Sequence, residues 1–137
     1  MLYRRFATVP AVPRPPTATV LVVKDDAAVA RELQTYLTTA GLPAAVATTV
    51  PAPGKLAAAI EAVVVFPDAQ PLALPALLKL RQSRADLLVL VVSSHLARYR
   101  ALAALAPDAT RVLAAPVFGW HLVDEIRRHR AGEGADA

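Results

Sequence analysis

The residues of this chain best suited to chemistry are Lys24, Asp25 and Asp26, which follow the apolar run Val20-Leu21-Val22-Val23 without a break. Two adjacent carboxylates are hard oxygen donors of the kind that hold Mg²⁺. The lysine beside them works against that role, because its ammonium competes with a cation for the same oxygens. A helical pattern begins directly after Asp26, so Asp25 or Asp26 can equally serve as a cap, accepting hydrogen bonds from the first free N–H groups of the helix. A second polar cluster, Ser93-Ser94-His95, closes the apolar run Leu87 to Val92. Those serines lack the flanking glycines of a nucleophile elbow, and capping the next helix is their expected role. His95, His121 and His129 have no partners at metal-ligand spacing and read as loop or surface residues. The glycines at 41, 54, 119, 132 and 134 build no phosphate-cradling loop. Neither a metal nor a cofactor is expected.

Elements must place these groups, and the chain is long enough for one domain with a real core: 137 residues, of which 55% are hydrophobic. No apolar run is long enough to span a bilayer. With no cysteine there is no disulfide framework, thiolate chemistry or zinc ribbon. Pro10, Pro13, Pro15 and Pro16 interrupt the N-terminal stretch, so no secretory leader is read there and a cytoplasmic protein is expected. The formal charge of +4 and pI of about 10 favour an acidic partner only mildly. Several arginines lie in terminal segments or on polar helix faces, so nucleic acid is not the expected partner of this domain.

Residues 1–16 read as a disordered Pro-rich tail, residues 17–131 as the domain, and residues 132–137 as a second tail or linker. Within the domain, apolar β-branched runs alternate with helical patterns. Strands are expected at Val20–Val23, Ala44–Thr48, Ala62–Phe66, Leu87–Val92 and Thr110–Ala114. Helices are expected after each. The first carries the stripe Val29, Leu33, Tyr36 and Leu37 and stops at Gly41; a short second spans Lys55 to Ile60. Leu74, Leu77, Leu78 and Arg81 mark the third, Leu96, Tyr99 and Leu102 the fourth, and Leu122, Val123 and Ile126 the last. Right-handed crossovers then give an α/β fold: a three-layer, doubly wound, five-stranded parallel sheet of order 2-1-3-4-5, flavodoxin-like, with its site above strands one, three and four.

Over about residues 18 to 130 the sequence resembles the response-regulator receiver domains (CheY-like). The resemblance rests on the strand and acids at Val22 to Asp26, the Gly41 stop, Ser93 at the end of the fourth strand and Pro116 after the fifth. It implies a site in which an acidic pair after the first strand and an aspartate ending the third hold Mg²⁺. That last aspartate accepts a phosphoryl group, while a hydroxyl after the fourth strand and a lysine after the fifth bind its oxygens. Carried onto this chain, the first acid falls on Lys24, the second on Asp25, the acceptor on Phe66, the hydroxyl on Ser93 and the lysine on Ala115. The switch-reporting aromatic falls on Val112. Phenylalanine has no oxygen to attack phosphorus, and alanine cannot neutralise a phosphoryl group. The expectation is a degenerate phosphorylation site made of Lys24, Asp25, Asp26, Phe66, Ser93 and Ala115. Asp68 is the alternative acceptor, disfavoured because it would extend the strand through Pro67. An ion pair of Lys24 with Asp25 is an open possibility in place of the lost cation.

The resemblance therefore implies a non-enzymatic pseudo-receiver of a two-component-type system, acting without phosphorylation through a signalling protein partner or by dimerising. The expected interface lies on the last helix, strand and helix: Arg98, Arg111, Trp120, Asp124 and Arg128, with Val117 and Phe118 as further apolar anchors; covering the sheet edge is the alternative role of Phe118 and Trp120. Two other readings stay open. One is a regulatory domain that binds a small apolar ligand in the vacated crevice. The other is the receiver fragment of a larger DNA-binding regulator.

Overall fold

The computed structural model describes residues 17–70 and 72–132. Five strands form one all-parallel sheet in the order β2-β1-β3-β4-β5. They are β1 (Val20–Val23), β2 (Ala44–Ala47), β3 (Ala62–Val65), β4 (Leu88–Ser93) and β5 (Thr110–Ala114). Among the described residues four α-helices connect or follow them: α1 (Ala27–Thr39), α2 (Ala73–Ser83), α3 (Arg100–Leu105) and α4 (Gly119–Arg130). The doubly wound expectation holds in both order and direction. None of the described helices is long and apolar enough to cross a membrane.

Side-chain alternation along the strands divides the core in two. Val20, Val22, Val64, Leu90 and Val92 face α1 and α4, where Ala30, Leu37, Leu122, Val123 and Ile126 meet them. Leu21, Val23, Val63, Val65, Val89 and Val91 face Leu77 and Leu80 of α2 and Tyr99 and Leu102 at α3. The central strands are buried on both sides, which is why they read as continuous apolar runs. Each such buried valine or leucine contributes roughly 1.5–3 kcal/mol of transfer free energy. A rigid sheet edge at the C-terminal ends of β1, β3 and β4 follows. In register, Val23 lies beside Val65, and Val65 beside Val91.

Local signals set several boundaries. Gly41, at φ +90°, closes α1: Leu42 N–H donates to the Leu37 carbonyl at 2.8 Å and Gly41 N–H to Thr38 at 3.1 Å. That is the left-handed turn for which glycine is suited. Arg81 is buried and donates to the carbonyls of Arg84, Ala85 and Ala109 and to Thr110 Oγ1, joining the end of α2 to the start of β5.

Three sequence expectations need correction. Lys55 to Ile60 is not a helix: a 3₁₀ turn covers Pro53–Lys55 and the rest is turn and loop, since two prolines and a glycine leave too few residues to nucleate a helix. The buried stripe of α1 runs through Ala30 and Leu37, while Val29 and Tyr36 are exposed. The fourth helix begins as a 3₁₀ segment, Leu96–Tyr99, before α3. The readings of residues 1–16 and 133–137 as tails lie outside the described residues.

Candidate functional site

The C-terminal ends of β1, β3, β4 and β5 bring Lys24, Phe66, Ser93 and Ala115 to one edge of the sheet. Backbone bonds hold them there. Lys24 N–H donates to the Ala47 carbonyl, Phe66 N–H to Val23, and Ala115 N–H to Ser93, each at 3.0 Å. The ladder therefore continues past β1, β3 and β5 by one residue, which fixes the backbone from which these side chains project.

The charged triplet separates into three roles. Asp26 is the N-cap of α1, its carboxylate accepting from Ala28 N–H at 3.0 Å and Val29 N–H at 3.3 Å. Asp25 is exposed at the edge of a separate groove, beside Thr48, Thr49 and Gln70. Lys24 makes no ion pair with Asp25: its Nζ lies over the Phe66 ring, 4.6 Å from the centroid. The ring's negative face attracts the ammonium, and the half-buried phenylalanine gives it a fixed seat that an exposed carboxylate does not. Among the described residues no group of three or more His, Asp or Glu side chains could hold a metal ion.

The serines do not cap α3. Ser93, fully buried, donates its hydroxyl to Asp68 Oδ1, and its oxygen accepts from His95 N–H at 2.9 Å. Ser94 binds the other oxygen of Asp68 twice, through its N–H at 3.0 Å and its hydroxyl at 2.7 Å. The loop after β3 is thereby fastened to the end of β4. Burial alone would raise the Asp68 pKa; the hydrogen bonds from Ser93 and Ser94, aided by the charge of His95, outweigh it and bring the group from 3.8 to about 2. Asp68 is the residue of this site whose part sequence reasoning missed. Its signal was present: a carboxylate three residues beyond β3, opposite a serine pair closing the adjacent β4.

The expected interface residues are partly gathered. Arg111 on β5 donates to the Pro107 carbonyl at 2.9 Å and pairs with Glu125 at 3.7 Å. On α4, Arg128 pairs with Asp124 at 3.0 Å and with Glu125 at 3.9 Å. These charges serve pairs within the chain. Arg98 stands apart, exposed on the 3₁₀ segment before α3. Phe118 and Trp120 do not cover the sheet edge: they are 68% and 60% exposed and stack on each other, ring centroids 6.4 Å apart.

No protein-family model matches the chain, and no curated protein matches it. Solved structures do match its fold. An orphan response regulator of H. pylori aligns over 85% of this chain and 98% of its own, at 20% identity and a TM-score of 0.64. A response regulator receiver protein from Pseudomonas putida aligns over 86% and 99%, at 23% identity and 0.66. A Burkholderia pseudomallei protein described as pilus assembly-related aligns over 89% and 96%, at 21% identity and 0.60. The fold is therefore of the receiver type.

Proposed function

We propose that residues 17–131 form a signalling module of receiver fold that works through protein contacts and without phosphoryl transfer. The observation that carries this reading is the engagement of Ser93. The hydroxyl that the resemblance assigns to a phosphoryl oxygen already donates to the carboxylate of Asp68 in the same chain. Three further features support it. Phe66 offers no nucleophilic oxygen at the acceptor position. Lys24, seated on that ring, places a fixed positive charge where a divalent cation would need carboxylates. Ala115 brings no charge to balance a phosphoryl group. Asp68 itself has both oxygens committed to hydrogen bonds, and its lowered pKa marks a weak nucleophile.

The working surface is then the face of α3, β5 and α4. Stacked and exposed, Phe118 and Trp120 are aromatic anchors of the type that concentrate binding energy at interface centres. Trp120, Asp124 and Arg128 fall at i, i+4 and i+8 along α4, so the anchor and the ion-paired side chains share one stripe. A signalling protein or a second copy of the chain is the partner. Light scattering and pull-down with the intact chain test this, using Trp120→Ala with Phe118→Ser as the disrupting variant. Arg111 is left alone because it is tied to Glu125 and Pro107. The expected result is loss of self-association or capture with an unchanged thermal melt, and no response of the unmodified chain to acetyl phosphate. Association that survives the double change, or that depends on the phosphodonor, would overturn the proposal.

A further inference from the structure

A cleft of about 460 Å³ opens between α1 and the loop joining β5 to α4. Phe66 and Val92 form its floor, Val29, Leu33 and Tyr36 one wall, and Val117 the other. It explains why α1 carries two large apolar side chains outside the core: Val29 and Tyr36, 37% and 45% exposed, line this cleft. The wall is closely built at one end, where a Cβ on Gly119 would lie 2.7 Å from the Tyr36 ring. The size and apolar lining suit a small organic ligand, which such pockets hold with a few placed polar groups.

Two charged side chains reach the cleft, Lys24 and Glu32. Lys24 makes no ion pair with a carboxylate among the described residues; its ammonium rests on the Phe66 ring at the cleft floor. An ammonium held at the floor of an apolar trough matches a ligand with one negative charge and an apolar body. Glu32 sets the limit on charge, since its carboxylate opposes a second negative group. We infer that the cleft is a binding site for a small monocarboxylate with an apolar tail, its carboxylate on Lys24 and its tail along Leu33, Tyr36 and Val117. This goes beyond the interaction reading and does not depend on it, because neither Phe118 nor Trp120 lines the cleft.

The test uses octanoate as the probe, with 1-octanol as its neutral counterpart and octylamine as the cation. Isothermal titration calorimetry and amide chemical shifts are read on the intact chain. Octanoate should bind saturably, about five-fold or more tighter than 1-octanol, as expected for one ion pair at the upper end of the exposed range. Shifts should centre on Leu33, Tyr36 and Val117. Lys24→Gln should reduce octanoate to the affinity of 1-octanol, and Glu32→Gln should tighten it. The comparison of octanoate with 1-octanol on the unmodified chain holds whatever the variants do to folding. Equal affinity for octanoate and 1-octanol, preference for octylamine, or shifts centred elsewhere would overturn the assignment. So would octanoate binding only after residues 1–16 are removed, which would make that segment the occupant.

Discussion

Replacing Asp68 with alanine isolates the contact that fastens the loop after β3 to β4. Three hydrogen bonds reach that carboxylate, two of them from Ser94 and one from the buried Ser93. Lowering a pKa from 3.8 to about 2 corresponds to at most roughly 2.4 kcal/mol at 1.36 kcal/mol per unit. Asp68 is solvent-exposed, and screening reduces that electrostatic part to about 1 kcal/mol. The Ser93 hydroxyl, left without its acceptor in a buried position, adds about 1 kcal/mol. Asp68→Ala should therefore cost about 2 kcal/mol at pH 7 in urea denaturation. The sign of the pH dependence follows from a folded pKa below the unfolded one. The stabilisation is present above pH 3.8 and is lost as pH falls through about 2, so the difference between wild type and variant should shrink over that window. In a double-mutant cycle with Ser93→Ala, a coupling of about 1 kcal/mol is expected. A cost below about 0.5 kcal/mol with no pH dependence, or additive effects of the two changes, would refute the reasoning.

Arg81→Met should destabilise the domain by about 3 kcal/mol, because four acceptors at the end of α2 and the start of β5 lose their donor together; a chemical melt checks this, and Arg81→Lys should recover little of it. Phe66→Ala should cost about 2–3 kcal/mol by the same measurement, below the range for a fully buried ring, since Phe66 is only half-buried. With Phe66→Leu, a cycle against Lys24→Gln should return a coupling of about 0.5–1 kcal/mol from the contact of ammonium and ring.

Much of the fold was legible in the sequence for a simple reason. Strands buried on both faces must be continuous and apolar, and Val20–Val23, Ala62–Val65 and Leu88–Val92 show it. Gly41 announced the end of α1 because few other residues accept its backbone angle. Less legible was which side of a helix faces inward when small and large apolar residues alternate. Ala30 is buried and Val29 is not, because the wall of the cleft, and not the core, receives the valine. The run Lys55 to Ile60 misled through its alanines, whose propensity cannot offset the cost of starting a helix after Pro53-Gly54. At the site, the positions of Lys24, Phe66, Ser93 and Ala115 followed from strand order alone. What they touch did not. Lys24 chose a ring over the adjacent carboxylate, and Ser93 chose a carboxylate 25 residues away over the helix it precedes. Arg81 likewise read as one more residue on a helical stripe, and its four acceptors depend on how α2 meets β5.

The central claim is that this chain signals without accepting a phosphoryl group. The most direct measurement is the intact mass of the protein after incubation with acetyl phosphate and Mg²⁺, with peptide mapping of any modified species. The account predicts the unmodified mass, because Phe66 cannot react and the oxygens of Asp68 are held by Ser93 and Ser94. An aspartyl phosphate mapped to Asp68 or Asp25 would contradict it.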